Sequence, residues 1–205
     1  MKEKIGILGG AFNPPHFGHL KIAKIAKKKF NLKKIYFIPC GIPPLKKKVA
    51  DPKTRLKMLK MLLSPYKDFE IIDWEIKRAK ENKKSYTIDT IAYLKKRFKN
   101  KEIYWIIGED SFREIIEGKW KGGLKILDLV KFIVFKREGH PYSLKNLPKK
   151  YQKRLEKAKK KVIFVETKIP ISSTEIRKRI KKNKNLDNLV PRKIQKFIQE
   201  NKIYG

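Results

Sequence analysis

The chain has a single cysteine, Cys40, so it closes no disulfide within itself and assembles no thiolate metal cluster. Nothing beside Cys40 marks an activated thiol, and it reads as a loop or core residue. Histidine is almost as scarce, confined to His16, His19 and His140. No apolar run approaches the roughly eighteen residues of a membrane span. Met1-Lys2-Glu3-Lys4 leads straight into a glycine-rich segment, without the apolar stretch of a secretory signal. A cytoplasmic protein with no membrane partner is expected.

Acidic residues are also few. Asp and Glu number 20 against 54 Lys and Arg, a formal charge of +34. A surplus of this size invites nucleic acid, since basic surfaces neutralise phosphates and release counterions. The lysines, however, are strewn along the whole chain, as in Lys27-Lys28-Lys29, Lys46-Lys47-Lys48 and Lys159-Lys160-Lys161, which is the pattern of solvated helix faces and loops. Thermal adaptation normally enriches Glu beside Lys and does not account for the imbalance. No dedicated nucleic-acid partner is expected.

What is present is enough apolar material, 40% of 205 residues, for one substantial core. A single domain over residues 1–205 is expected. Short apolar runs at Ile5-Gly6-Ile7-Leu8, Ile35-Tyr36-Phe37-Ile38, Phe69-Glu70-Ile71-Ile72, Ile103 to Ile107, Phe132 to Phe135 and Val162 to Val165 read as strands. Helical spacing marks residues 18–30, 55–63, 87–98, 173–182 and 191–201. The alternation predicts an α/β fold, a Rossmann-like doubly wound parallel sheet with helices on both faces. Residues 144–161 read as a polar excursion from that pattern.

The first strand runs into Gly9-Gly10-Ala11-Phe12-Asn13-Pro14-Pro15-His16-Phe17-Gly18-His19 and then a helix. Glycines let backbone amides approach a phosphate, and a helix N-terminus favours negative charge. His16 and His19, three apart at a helix start, share one face. Helix capping or metal binding would use the same pair. Far downstream, Ile171-Ser172-Ser173-Thr174-Glu175-Ile176-Arg177 reads as a capped helix start whose amides suit phosphate, with Arg177 one turn in; an ordinary capped helix fits these residues equally.

These two segments resemble the paired phosphate-binding signatures of the nucleotidylyltransferase superfamily, and the resemblance spans nearly the whole chain. It implies that His16, His19 and Arg177 act on the reacting phosphates. It also implies that Gly9, Gly10, Ala11, Phe12, Gly18, Lys46, Ser172, Ser173 and Thr174 bind ATP. Within the superfamily the chain resembles the bacterial nicotinate or nicotinamide mononucleotide adenylyltransferases. Ile106-Ile107-Gly108-Glu109-Asp110 matches their strand end, so Gly108 and Asp110 are expected at the ATP ribose. Ser85-Tyr86-Thr87 matches the segment that receives the nicotinate carboxylate, and Trp120 the aromatic platform under the pyridine ring. Taken alone, Trp120 and Tyr86 read more often as core, and their order and spacing in the resemblance reverse that reading. Pro43-Pro44-Leu45-Lys46 departs from the family's usual Pro-Pro-His-Lys, and Lys136-Arg137-Glu138-Gly139-His140-Pro141 resembles a family loop. The implied reaction joins the adenylyl group of ATP to nicotinate mononucleotide, releasing pyrophosphate, with Mg2+ carried on the triphosphate and no protein metal ligand. The oligomeric state is open, a homo-oligomer included.

Overall fold

The computed structural model describes residues 2–46, 48–137 and 144–205. Six strands form a parallel sheet: β1 Glu3–Gly10, β2 Lys34–Pro39, β3 Phe69–Ile71, β4 Lys101–Gly108, β5 Lys131–Arg137 and β6 Val162–Thr167. Their order is β3-β2-β1-β4-β5-β6. The chain winds outward from β1 to β3, then returns to lay β4 beside β1. Such a reversal is where open α/β sheets take their ligands, beyond the carboxyl ends of the strands. Here those ends are Gly9-Gly10 and Gly108. The register is in phase, Ile5 opposite Ile103 and Leu8 opposite Ile106, then Trp105 opposite Phe132 and Phe132 opposite Val162.

Eight α-helices accompany the strands among the described residues: α1 Phe17–Lys29, α2 Pro52–Leu63, α3 Trp74–Ala79, α4 Thr87–Arg97, α5 Glu109–Ile116, α6 Gln152–Lys159, α7 Ser173–Lys181 and α8 Arg192–Glu200. The doubly wound reading holds. Three helices were not foreseen. α3 and α5 are too short for helical periodicity to register, and α6 lies inside the polar excursion, where only Leu155 and Ala158 face inward.

Two compact units divide the chain. The first comprises Met1–Gly9, Ala26–Ile35 and Tyr86–Lys168. Its core is the β5 run Phe132 to Phe135, wholly buried, with Ile5, Ile7, Ile106 and the α5 residues Phe112, Ile115 and Ile116. Phe112 meets Phe164 edge to face at 5.5 Å. The second comprises Gly10–Ile25, Tyr36–Ser85 and Ile169–Gly205. Its core strings Phe12, Phe37 and Phe69 together at ring separations of 5.9 and 5.6 Å, over Met58, Leu59 and Leu62 of α2. α2 starts sharply because the Asp51 carboxylate accepts from the Thr54 amide at 2.9 Å and Pro52 follows at a position needing no N–H. No helix of the described residues is long and apolar enough to cross a membrane.

Candidate active site

In the second unit the glycine-rich segment ends on the first turn of α1, which carries no acidic residue there and three lysines, Lys27 to Lys29, in its last turn. The helix therefore offers an uncompensated positive end to an anion. His16 and His19 stack there, ring centroids 3.7 Å apart at 28°. The His16 amide donates to His19 Nδ1 at 3.2 Å, so the proton of a neutral His19 imidazole lies on Nε2, the outward donor. Phe12 closes against the edge of His19 at 4.9 Å. A side chain at residue 18 would place its Cβ 2.9 Å from the His16 ring and 3.2 Å from Ile171, which explains Gly18. Gly9 is constrained likewise, a Cβ there lying 3.1 Å from Trp105.

Phe12 itself is 2% exposed at φ +48°, so its side chain is core and only its backbone is available to a nucleotide. The following Asn13-Pro14 bond is cis.

The downstream segment meets this one. Ser172 caps α7 by accepting from the Glu175 amide, which leaves the Ser173 hydroxyl to donate to the Pro14 carbonyl at 2.9 Å. Arg177 donates from Nη1 to the Asn13 carbonyl at 2.7 Å and from Nη2 to Thr174 Oγ1 at 3.2 Å. Part of the Arg177 fork is thus spent holding the loop, with further N–H groups left over for an anion. Lys46 is exposed, in a bend behind the equally exposed Leu45.

Sequence reasoning passed over a buried cation in the same unit. Arg55 of α2 is wholly buried and donates to four carbonyls: Nε to Ala50 at 2.8 Å, Nη1 to Ala11 at 2.7 Å and Cys40 at 2.6 Å, and Nη2 to Gly41 at 2.7 Å. Burial lowers its pKa from the usual arginine value. A sequence signal existed: Arg55 falls on the Met58, Leu59, Leu62 stripe, where a charge must be satisfied inside. Neighbouring Cys40 bears out its reading as unactivated, because burial first, and then Glu75, push its thiol up to about 12. Also in this unit, Ser85 accepts the Gly41 amide on its hydroxyl at 3.0 Å, so its side chain is structural.

The first unit carries the other anticipated residues. Tyr86 caps α4 through its carbonyl, which accepts from Asp89 and Thr90, leaving the Thr87 and Ile88 amides as the open donors of the first turn. Trp120 is half-buried, and its indole N–H donates to Glu114 of α5 at 2.9 Å. The turn behind it uses glycines at positive φ, Gly118 at +77° and Gly122 at +90°; at Gly122 a Cβ would meet Ile88 at 2.9 Å. Lys121 bridges the two anticipated aromatics' segments, its ammonium 4.9 Å from the Tyr86 ring and 3.5 Å from Asp89. At the end of β4, Glu109 turns inward and accepts the Leu144 amide at 2.9 Å, while Asp110 stays exposed in the first turn of α5. Its carboxylate folds back over Gly108, where a Cβ would lie 2.4 Å from Oδ1. Asp110 therefore sits on a helix rather than a strand end. Glu138 to Pro141, His140 included, lie outside the described residues.

The same unit has a concavity of about 770 Å³ at the amino ends of its strands, with Lys2, Lys4, Lys95, Lys101, Lys131 and Lys161 on its walls. Three of these lysines are paired, with Glu3, Glu102 and Asp128, so its charge is partly neutralised.

Fold and side chains define a nucleotide-handling α/β enzyme, and comparison with known proteins agrees. A family model described as cytidylyltransferase-like matches residues 7–179. The chain belongs to that family. A probable nicotinate-nucleotide adenylyltransferase of Clostridium novyi (strain NT) is 38% identical over the full length of both chains. Its counterpart in Clostridium botulinum (strain Eklund 17B / Type B) is 40% identical over 98% of each. Among solved structures, a Plasmodium falciparum nicotinic acid mononucleotide adenylyltransferase complexed with NaAD superposes with a TM-score of 0.74 at 20% identity, covering 98% of this chain and 97% of that one. This last likeness concerns the fold.

Proposed function

We propose that the protein transfers the adenylyl group of ATP to nicotinate mononucleotide, forming nicotinate adenine dinucleotide and pyrophosphate. The observation that carries the reading is the stacked His16 and His19 pair at the uncompensated start of α1, buttressed through Pro14 and Asn13 by Ser173 and Arg177 of α7. The names of the full-length relatives support the choice of reaction.

In the reaction a phosphate oxygen of the mononucleotide attacks the α-phosphorus of ATP. The new P–O bond forms as the bond to the β-phosphate oxygen breaks, and the electron pair leaves with pyrophosphate. No side chain need become covalently attached. His16, His19 and Arg177 donate toward oxygens that gain charge in the transition state, which is worth most from fixed groups shielded from water. Gly9, Gly10, Ala11, the Phe12 backbone and Gly18 admit the triphosphate, with Lys46, Ser172, Ser173 and Thr174 adding donors. Gly108 and Asp110 receive the ribose. The open amides at Thr87 and Ile88, beside Tyr86, accept the nicotinate carboxylate, following Ser85, and Trp120 supports the pyridine ring.

Mg2+ belongs to this reading as a companion of the triphosphate. A compact hard ion keeps its hydration and is held by substrate oxygens and water. Such an ion neutralises the triphosphate when bound. The protein's own part is to hold the donors in place.

The test is a coupled assay. With ATP, magnesium and nicotinate mononucleotide, equal amounts of dinucleotide and pyrophosphate are expected, with slower turnover of the amide mononucleotide. Pyrophosphate without dinucleotide, or no reaction with either mononucleotide, overturns the assignment.

A further inference from the structure

Residues 11–14 are held by side chains from three distant stretches of the second unit. Arg55 takes the Ala11 carbonyl, Arg177 that of Asn13, and Ser173 that of Pro14. The third stretch is the segment beyond α8, where the Tyr204 hydroxyl donates to Asn13 Oδ1 at 2.7 Å. That oxygen also accepts the Ala50 amide at 3.0 Å. A backbone amide can only donate, so the Asn13 side chain has one orientation, with its oxygen toward Ala50 and Tyr204 and its two N–H groups turned away. Asn13 is 5% exposed, so no bulk water replaces a lost partner.

Backbone geometry marks the same contact. Tyr204 stands at φ +73° and Phe12, next to Asn13, at φ +48°. Neither is glycine, and side-chain-bearing residues persist in the left-handed region only where their surroundings over-determine them. Tyr204 itself, and the residue before Asn13, are thus held against local preference. Burial also raises the Tyr204 hydroxyl above the ordinary tyrosine pKa.

We infer that Tyr204 is a positioning residue for adenylyl transfer: through Asn13 it fixes the loop that leads into His16 and His19, and ties that loop to Ala50. The inference rests on residues 9–19 being the triphosphate site. Ala50 precedes the Asp51 cap of α2, and its carbonyl is taken by Arg55, which also holds Ala11, Cys40 and Gly41. Removing the hydroxyl leaves Asn13 Oδ1 held by the Ala50 amide alone and cuts the loop's tie to the segment beyond α8. The loop then samples positions in which its donors miss the shifting charge, an error that lowers turnover more than ground-state affinity.

The experiment uses the full chain carrying Tyr204→Phe, Asn13→Ala or both. Each is measured for kcat and KM with ATP and nicotinate mononucleotide, and for the rise in melting temperature that ATP alone produces. Tyr204→Phe is expected to lower kcat about three- to ten-fold, the scale of one hydrogen bond, with the mononucleotide KM unchanged and the ATP-induced rise reduced. In the Asn13→Ala background the same substitution should change nothing further. An unaltered kcat and ATP-induced rise in Tyr204→Phe overturns the inference, as does a loss that persists undiminished without the Asn13 side chain. Should the unaltered protein transfer nothing to either mononucleotide, the proposed function fails, and the ATP-induced rise still decides the role of Tyr204.

Discussion

Arg55→Met is the most demanding test of how the phosphate loop is held. Methionine matches the arginine stem in length and can fill the tunnel, but it has nothing to donate. Four carbonyls, at Ala11, Cys40, Gly41 and Ala50, lose their partner at once, those of Ala11 and Gly41 in fully buried bonds. Each stranded acceptor costs about 1–3 kcal/mol, yet the four share one head group and relax together, so the separate costs do not add. Taken together the four cost about 3–5 kcal/mol, well short of four separate penalties. For a chain of this size 1 kcal/mol moves the melting temperature by about 2–4 °C, so a fall of about 6–20 °C is expected. Differential scanning fluorimetry reads it directly. Arg55→Lys separates charge from geometry: one ammonium keeps the charge but cannot reach carbonyls of three segments as a planar fork does. It should lose more than half as much. A fall under about 3 °C in Arg55→Met, or a lysine variant as stable as the parent, refutes the account.

His16→Ala and His19→Ala should each lower kcat about a hundred- to a thousand-fold with small changes in mononucleotide KM, the scale of one lost transition-state donor; near-normal turnover in both would remove them from the chemistry. Trp120→Ala should weaken mononucleotide binding by about 1–3 kcal/mol and leave ATP binding alone, while Trp120→Phe keeps most of the affinity, as titration of each ligand would show. Cys40 should resist iodoacetamide. With its thiol at about 12 instead of 9.0, its thiolate share at pH 8 is roughly a thousand-fold below that of an ordinary thiol, so alkylation at the same rate in folded and urea-unfolded chain would contradict the burial. The sign for stability follows. A raised pKa favours the neutral thiol in the folded state, so its contribution is intact below pH 9 and is lost as the pH climbs from about 9 toward 12.

The sequence made the sheet legible because strands of a parallel sheet are written as apolar runs, nearly continuous in the central β1, β4 and β5, and each of the six expected runs became a strand. The two segments proposed to bind phosphate were legible for a different reason. Glycines, paired histidines and a Ser-Ser-Thr cap are residue types chosen by contact with a ligand or with a crowded backbone, as the 2.9 Å clearance beside Gly18 shows. α3 and α6 stayed hidden because they have barely two turns in which to display a period.

What could not be read were the partners that hold the site residues. Glu109 and Asp110 are adjacent acids in the first turn of α5, and nothing in their order says that Glu109 turns in to the Leu144 amide while Asp110 stays outside. Glu114 under the Trp120 indole and Tyr204 on Asn13 are ordinary residues in ordinary helical or turn contexts until the chain is folded. Arg55 is the instructive exception. A charged residue on the apolar stripe of α2 conflicts locally with the helix that bears it, and such a conflict persists only if the folded state satisfies the group. Three of the carbonyls it binds, at Ala11, Cys40 and Gly41, are those left over where β1 and β2 end and the loops begin. The unmet hydrogen-bonding needs of those loops and of a misplaced cation cancel each other. A lone charge on a core stripe is therefore worth marking beside the motifs proposed to bind phosphate.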